Sequence, residues 1–344
     1  MIIDDSLVAR TALRRMVEAA GDLEVVATIS TAENAIEVLR SERVDVILLD
    51  LDMPGMGGLE ALPKLIERAR GARILVVSAL TLAGAEHTLA ALSLGATDTL
   101  PKPQGRGFHD VYREVLLGKI RDLGGAAVDA PKAVRAVAKP TLAACGLPRT
   151  PPVILAIGAS TGGVHALANL FGGLPRRLGI PVLLTQHLPA AFMPHFARQL
   201  TAASGYETVL AEEGAPVEPD RILIAPGDAH LTVAKQAGRL VVRLDRNPAA
   251  SGCLPSVDPM FASLAEEIGD GALGVVLTGM GRDGALGAAR LVAAGGSILA
   301  QDEASCAVWG MPRAVAEAGL ASAVLPPREL AELIGSRLGL AACR

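Results

Sequence analysis

The chain has 344 residues and a formal net charge of −4, enough length for two domains that each bury a core. A slightly acidic balance and an aromatic share of only 2% exclude a surface built for nucleic acid, which needs clustered cations and stacking rings. No apolar run reaches the roughly 18 residues of a membrane span, so no membrane insertion is expected. The opening Met1-Ile2-Ile3-Asp4-Asp5 lacks the charged and apolar regions of a secretory signal. The expected location is therefore cytoplasmic. Cys145, Cys253, Cys306 and Cys343 show no CxxC spacing and read as free or buried thiols in a reducing compartment.

The first third alternates short apolar strands with helical patterns. After a stub at Ile2-Ile3, residues 25–29, 45–49, 73–77 and 97–100 read as strands. Residues 6–20, 32–40, 58–68 and 82–94 carry apolar side chains at i, i+3, i+4 and read as amphipathic helices, with a fifth expected over 108–123. This alternation predicts a parallel sheet covered on both faces. The stub is short, which predicts a soft core in this domain or a start codon placed too late, since each absent strand residue removes about 3.3 Å of strand.

Five polar residues fall at one edge of that sheet. Asp4 and Asp5 follow the first strand, Asp50 the third, Ser78 the fourth and Lys102 the fifth. Strand-end carboxylates can simply cap the helices that follow, but all five together suit another chemistry. Three crowded carboxylates repel unless a hard, oxygen-seeking cation such as Mg²⁺ joins them. A carboxylate can attack phosphorus, and a hydroxyl and an ammonium nearby can hold phosphoryl oxygens.

Residues 124–152 change character, with Gly124-Gly125, Pro131, Pro140, Pro148, Pro151 and Pro152, and read as an inter-domain linker. The strand–helix alternation then resumes over 153–344. Residues 230–244 read instead as a hairpin turning near Gln236-Ala237-Gly238, which predicts a mixed sheet with an antiparallel edge.

Three strand-like runs of this second domain each lead into a chemical group. Residues 153–157 lead into Gly158-Ala159-Ser160-Thr161-Gly162-Gly163, residues 180–185 into Gln186-His187, and residues 275–278 into Gly279-Met280-Gly281-Arg282-Asp283-Gly284. The carboxyl ends of parallel strands are where ligands sit, so Ser160, His187 and Asp283 can converge as an acyl-transfer set. Gly158-Ala159-Ser160-Thr161-Gly162 matches the G-x-S-x-G nucleophile elbow, and a helix starting after it would bring its positive end to a developing oxyanion. Ser160 could instead be a helix N-cap. His187 is the best base because it ends a strand; His87, His109, His165, His195 and His230 read as surface or packing residues, and Asp258 and Asp302 as structural. The segment 279–284 also fits G-x-G-x-x-G with Asp302 downstream, a dinucleotide signature. That reading leaves Ser160 and His187 without a role.

The first-domain motifs Asp4-Asp5-Ser6, Asp50-Leu51-Asp52-Met53-Pro54-Gly55-Met56-Gly57-Gly58, Val77-Ser78-Ala79 and Lys102-Pro103 resemble the receiver domain of two-component response regulators over residues 1–123. The resemblance implies a (βα)5, flavodoxin-like doubly wound parallel sheet, Asp50 as phosphoacceptor, Asp4 and Asp5 with Asp50 as Mg²⁺ ligands, and Ser78 and Lys102 as switch residues. The position three before Lys102, often aromatic in that family, is Thr99. The second domain resembles the catalytic domain of the CheB protein-glutamate methylesterases. The resemblance rests on the three segments above and on Ile224-Ala225-Pro226-Gly227, Pro255-Ser256-Val257-Asp258, residues 300–306 and Trp309-Gly310-Met311-Pro312. Leu254 stands where relatives often place an arginine.

This second resemblance implies a doubly wound, mostly parallel α/β domain. Ser160 would be its nucleophile, His187 its base and Asp283 its orienter, with Thr161 and Met280 shaping the oxyanion hole. It also implies hydrolysis of glutamyl methyl esters on methyl-accepting chemoreceptors, deamidation of glutamines, a sensor histidine kinase of the CheA type as phosphodonor, and no cofactor for the esterase step. It further implies that the unphosphorylated receiver masks the catalytic face. The alternative is a phosphorylation-controlled, non-catalytic module whose G-x-G-x-x-G segment holds a dinucleotide or docks a receptor.

Overall fold

A computed structural model describes residues 1–78, 82–102, 109–128 and 150–339. Residues 129–149 of the expected linker, Ala79, Pro103, the helix start at Phe108 and the thiols Cys145 and Cys343 lie outside the described residues. The chain divides into two compact units, Met1–Arg135 and Ala136–Arg344.

The first unit runs β1 (Ile2–Ile3), α1 (Leu7–Glu18), β2 (Thr28–Ile29), α2 (Ala32–Val38), β3 (Val46–Leu49), α3 (Gly58–Arg68), β4 (Arg73–Ser78), α4 (Leu82–Ser93), β5 (Asp98–Pro101) and α5 (His109–Val128). The five strands form one parallel sheet in the order β2-β1-β3-β4-β5. Ile3, Ile47, Leu49, Leu75 and Val76 are fully buried on it, and Ser6 and Thr31 cap α1 and α2 with their hydroxyls. Two expectations change. The strand expected over 25–29 keeps only Thr28 and Ile29, because its sole neighbour β1 offers two residues to pair with. Helix α5 continues through Gly124 and Gly125, where a linker was expected. There Leu123 is buried, and Gly124 packs beside β3, where a Cβ on it would make an ordinary contact with Val46 at 3.7 Å.

The second unit is built from β6 (Ile154–Ala159), α6 (Gly163–Gly173), β7 (Val182–Gln186), α7 (Met193–Ser204), β8 (Glu207–Leu210), β9 (Arg221–Ile224), β10 (His230–Gln236), β11 (Arg239–Asp245), α8 (Val257–Glu267), β12 (Ala272–Val276), α9 (Ala285–Ala293), β13 (Ser297–Gln301), α10 (Met311–Glu317), β14 (Ala321–Leu325) and α11 (Pro327–Arg337). Seven strands form a wholly parallel sheet in the order β14-β13-β12-β6-β7-β9-β8. Successive strands leave β6 first on one side and then on the other, so the sheet is doubly wound and switches direction beside its first strand.

Ile154 and Ala156 of β6, Ile298 and Ala300 of β13, and Phe261 and Leu264 of α8 share one core. Buried Leu155, Ile157, Leu273 and Leu299 alternate with the sheet residues of that core and so face the opposite side. The hairpin forms as expected, but as a separate two-stranded sheet and not as an edge of the large one. Its apolar residues Leu231, Val233 and Val242 are spent on the α8 core, and the Val233 N–H is taken by Ser263 Oγ at 3.1 Å.

Helices α8 and α9 touch at Gly287, where a Cβ would lie 2.6 Å from the Asp258 carbonyl oxygen and 2.8 Å from Phe261 Cβ. Alanine normally stabilises a helix by about 1 kcal/mol over glycine. Here backbone must move instead, so Gly287→Ala should destabilise the chain by about 1–3 kcal/mol. Urea denaturation of the full chain checks this, and a rise in the midpoint would show that α8 and α9 can separate freely.

Candidate active site

Ser160, His187 and Asp283 follow β6, β7 and β12, three adjacent strands at the centre of the large sheet. Their ends are in register, with Ala159 beside Gln186 and Gly158 beside Val276. The backbone fixes the first two further: Ser160 N–H donates to Thr278 O at 3.0 Å and His187 N–H to Ala159 O at 3.0 Å. Gln186 Nε2 donates to Ser160 O at 2.9 Å. Space for this crossing comes from Gly279, where a Cβ would lie 2.7 Å from Ser160 Cβ and 2.4 Å from Met311 Sδ.

His187 Nε2 donates to Asp283 Oδ2 at 2.8 Å. The Asp283 side chain is 1% exposed and that of His187 16%. A buried carboxylate needs donors to replace water, and the start of α8 provides them. Ser256 Oγ donates to Oδ1 at 2.6 Å, Val257 N–H to Oδ2 at 2.7 Å and Asp258 N–H to Oδ1 at 3.4 Å. The positive end of the helix adds to these. Burial works to raise the Asp283 carboxyl, but the His187 contact and the Ser256 and Val257 donors outweigh it and hold it well below the usual carboxylate range. Burial likewise opposes the imidazolium of His187. The Asp283 hydrogen bond and the neighbouring Cys253 prevail and bring it up to about 9.

The Ser256 role is absent from a reading of strand ends, because Ser256 precedes a helix that approaches the site from the side. Its own N–H donates to His230 Nδ1 at 2.8 Å, and His230 Nε2 donates to Asn247 O at 2.8 Å. His230 is therefore a buried support at the start of the hairpin and not a surface residue. His165 is exposed, and His195 pairs with Arg198. Among the described residues, Ser160 Oγ has no hydrogen-bond partner; Nδ1 is the ring nitrogen of His187 that Asp283 leaves for a proton from elsewhere.

Thr161 is buried beside Ser160, and its carbonyl accepts from Thr278 Oγ1 at 2.9 Å. Gly162 then turns with φ +77 into α6, which puts the helix N-terminus two residues after the serine. Met280 follows Gly279 and is half-buried. The glycines of the G-x-G-x-x-G segment serve packing and turning. Gly279 makes room for Ser160 and Met311, and Gly284 caps α9 at φ +88 close to Val257. Asp258 Oδ1 accepts from Gly287 N–H at 2.7 Å and joins α8 to α9. Asp302 accepts from Ser305 within its own turn.

In the first unit the carboxylates of Asp4, Asp5 and Asp50 offer oxygens within 4.8 Å of one another. Asp4 and Asp50 are buried, and Asp5 is exposed. Lys102 Nζ stands 2.7 Å from Asp50 Oδ2 and 3.0 Å from Asp4 Oδ2. Burial, with the Asp4 charge in support, raises the Asp50 carboxyl against the pull of Lys102. Asp4 Oδ2 is buried, with the Lys102 ammonium as its charged neighbour. An all-oxygen donor set fits a hard divalent cation. Ser78 Oγ shares a hydrogen bond of 2.6 Å with Thr88 Oγ1, and Lys102 N–H donates to Ser78 O at 2.8 Å. Thr99 is buried.

Residues 155–334 match the family described as CheB methylesterase, and residues 1–108 the response regulator receiver domain. A protein of Caulobacter vibrioides named protein-glutamate methylesterase/protein-glutamine glutaminase 2 is 44% identical over 341 residues, 98% of each chain. One from Azospirillum brasilense, a protein-glutamate methylesterase/protein-glutamine glutaminase, is 40% identical over 358 residues, 97% of this chain and 91% of its own. The crystal structure of the Thermotoga maritima CheB methylesterase catalytic domain aligns with a TM-score of 0.52 at 36% identity, over 53% of this chain and 97% of that one. These likenesses support an enzyme and not a non-catalytic dinucleotide or docking module. Among the described residues no helix is long and apolar enough to cross a membrane. The chain belongs to the CheB family of protein-glutamate methylesterase/protein-glutamine glutaminases, with a response regulator receiver domain ahead of the methylesterase domain.

Proposed function

We propose that Ser160, His187 and Asp283 carry the ester hydrolysis of this enzyme, and that its substrates are glutamyl methyl esters of methyl-accepting chemoreceptors in the cytoplasm. The observation that supports this most is the buried Asp283–His187 hydrogen bond of 2.8 Å, placed on the strand next to Ser160. Ser160 Oγ attacks the ester carbonyl while His187 takes its proton. The imidazolium then returns that proton to the leaving methanol. Water, deprotonated by His187, resolves the acyl-enzyme to the glutamate side chain and free Ser160. The same intermediate forms from a glutamine side chain with ammonia leaving. Asp283 holds the ring and stabilises its charge. Thr161 and Met280 shape the place of the oxyanion, next to the positive end of α6.

The receiver reading extends to the end of α5 at Val128, and the catalytic-domain reading covers residues 153–344. Asp50 accepts a phosphoryl group from a sensor histidine kinase of the CheA type. Asp4, Asp5 and Asp50 hold Mg²⁺, which when bound neutralises the phosphoryl oxygens and the crowded carboxylates. Lys102 then shifts from the carboxylate to the phosphoryl group. Ser78 exchanges Thr88 for the same oxygens, which biases the unit toward a second state. No cofactor enters the esterase step in this reading.

Ser160→Ala should lower kcat/KM for methanol release from methylated receptor by about 10⁴-fold or more, and His187→Ala should be nearly as severe. The double variant should be no worse than either, because the two act as a unit. Full turnover by Ser160→Ala would falsify the assignment.

The base works only as neutral imidazole. Because His187 is held up to about 9, kcat/KM of the free enzyme should climb with pH and reach half its maximum near that value. Asp283→Asn removes one of the two groups that favour the charge and leaves Cys253 alone against burial, so the midpoint should move to lower pH while the plateau falls. A pH–rate profile unchanged by Asp283→Asn would show that this pair does not set the titration.

A small phosphodonor such as acetyl phosphate, given with Mg²⁺, should raise esterase activity of the full chain, and EDTA should cancel the rise. Asp50→Asn should stay at the basal rate with or without donor. Radiolabelled phosphate retained by Asp50→Asn would place the phosphoacceptor elsewhere.

A further inference from the structure

Beside the triad lies a group that the hydrolytic reading does not use. Cys253 sits in the loop between β11 and α8, half-buried and outside any disulfide. One ring nitrogen of His187, Cys253 Sγ and a carboxylate oxygen of Asp283 all lie within 4.8 Å of one another. Imidazole, thiolate and carboxylate are the donors zinc prefers, and thiolate selects it over magnesium. The acidic cluster of the first unit, made only of oxygens, has the opposite preference. We propose that His187, Cys253 and Asp283 form an inhibitory binding site for a thiol-seeking divalent cation of the zinc class.

Geometry supports this in two ways. Tetrahedral zinc, with bonds of about 2.0–2.3 Å, sets its donors roughly 3.5 Å apart, and the three groups, all within 4.8 Å of one another, need only small adjustments to reach that spacing. Two of them are already held in place. Asp283 is anchored by Ser256 Oγ and Val257 N–H, and His187 is fixed through its backbone N–H. Outer contacts of this kind orient metal ligands. The third already borders the imidazole: Cys253 follows Gly252, which turns at φ +72, and its side chain interacts with His187 beside a long contact of 3.9 Å from Sγ to Ser251 O.

Binding would release the thiol proton and the proton on the coordinating ring nitrogen to solvent, so affinity rises with pH. The bound cation occupies the imidazole and leaves Ser160 without a base. This inhibition rests on the role proposed for His187, whereas the binding itself does not.

The test uses the full chain saturated with Mg²⁺ and titrated with zinc chloride. Zinc should slow alkylation of Cys253 by iodoacetamide, read by peptide mass spectrometry, and a chelator should restore it. Cobalt(II) should give a thiolate charge-transfer absorption that Cys253→Ser lacks. Zinc should abolish esterase turnover of the wild type, and Cys253→Ser should need at least about tenfold more zinc for the same loss. Equal zinc sensitivity of the two proteins, or alkylation of Cys253 that zinc does not slow, would overturn the proposal. Protection of Cys253 with turnover undiminished would keep the cation site but overturn the assignment of His187 as base, which separates the two readings.

Discussion

A carboxylate buried at the centre of the second unit sets the terms for everything around it. Asp283 is 1% exposed at its side chain, and an isolated charge there would cost several kcal/mol after relaxation. The fold offsets that cost with an imidazolium on one side and the first N–H groups of α8 on the other. Those donors exist only if α8 starts at Val257. Its start is defined by Ser256, whose hydroxyl caps the helix and binds Asp283 at once. Ser256 is in turn held by His230, whose Nδ1 accepts its backbone N–H. A line of hydrogen bonds thus runs from the hairpin through α8 to the His187 imidazole.

Close packing keeps α8 in that place. A Cβ at Gly158 would lie 2.6 Å from Val257 Cγ1, and one at Gly284 3.0 Å from the same atom. Glycine is needed at these two positions because the helix start is pressed against a strand end and a turn. The hairpin belongs to the same arrangement. Had β10 and β11 joined the edge of the large sheet, Leu231 and Val233 would have left the α8 core, and His230 could not reach Ser256.

The two units solve related problems with different ions. Each is a parallel sheet, and each gathers polar side chains at the carboxyl ends of its strands, where successive loops meet and backbone groups remain to be satisfied. In the first, crowded carboxylates are balanced by Lys102. In the second, one carboxylate is balanced by one imidazole, and a thiol stands by. The chemistry each supports follows from donor type more than from topology.

Much of this was legible in the amino-acid order. The period of apolar residues set the alternation of strands and helices, and strand-end positions alone marked Asp4, Asp50, Ser78, Lys102, Ser160, His187 and Asp283, because in a parallel sheet the end of a strand is a place in space as well as in sequence. Features that depend on partners distant in the chain were not legible. The length of β2 was decided by the two residues of β1 beside it, and the extension of α5 past Gly124 by its packing on Val46. Ser256 and His230 entered the site because a helix and a hairpin fold across the sheet. Cys253 stands beside His187 for the same reason, through a loop whose spacing carries no motif. Local pattern determined which elements form; long-range burial and hydrogen-bond satisfaction decided how long they run and which side chains meet.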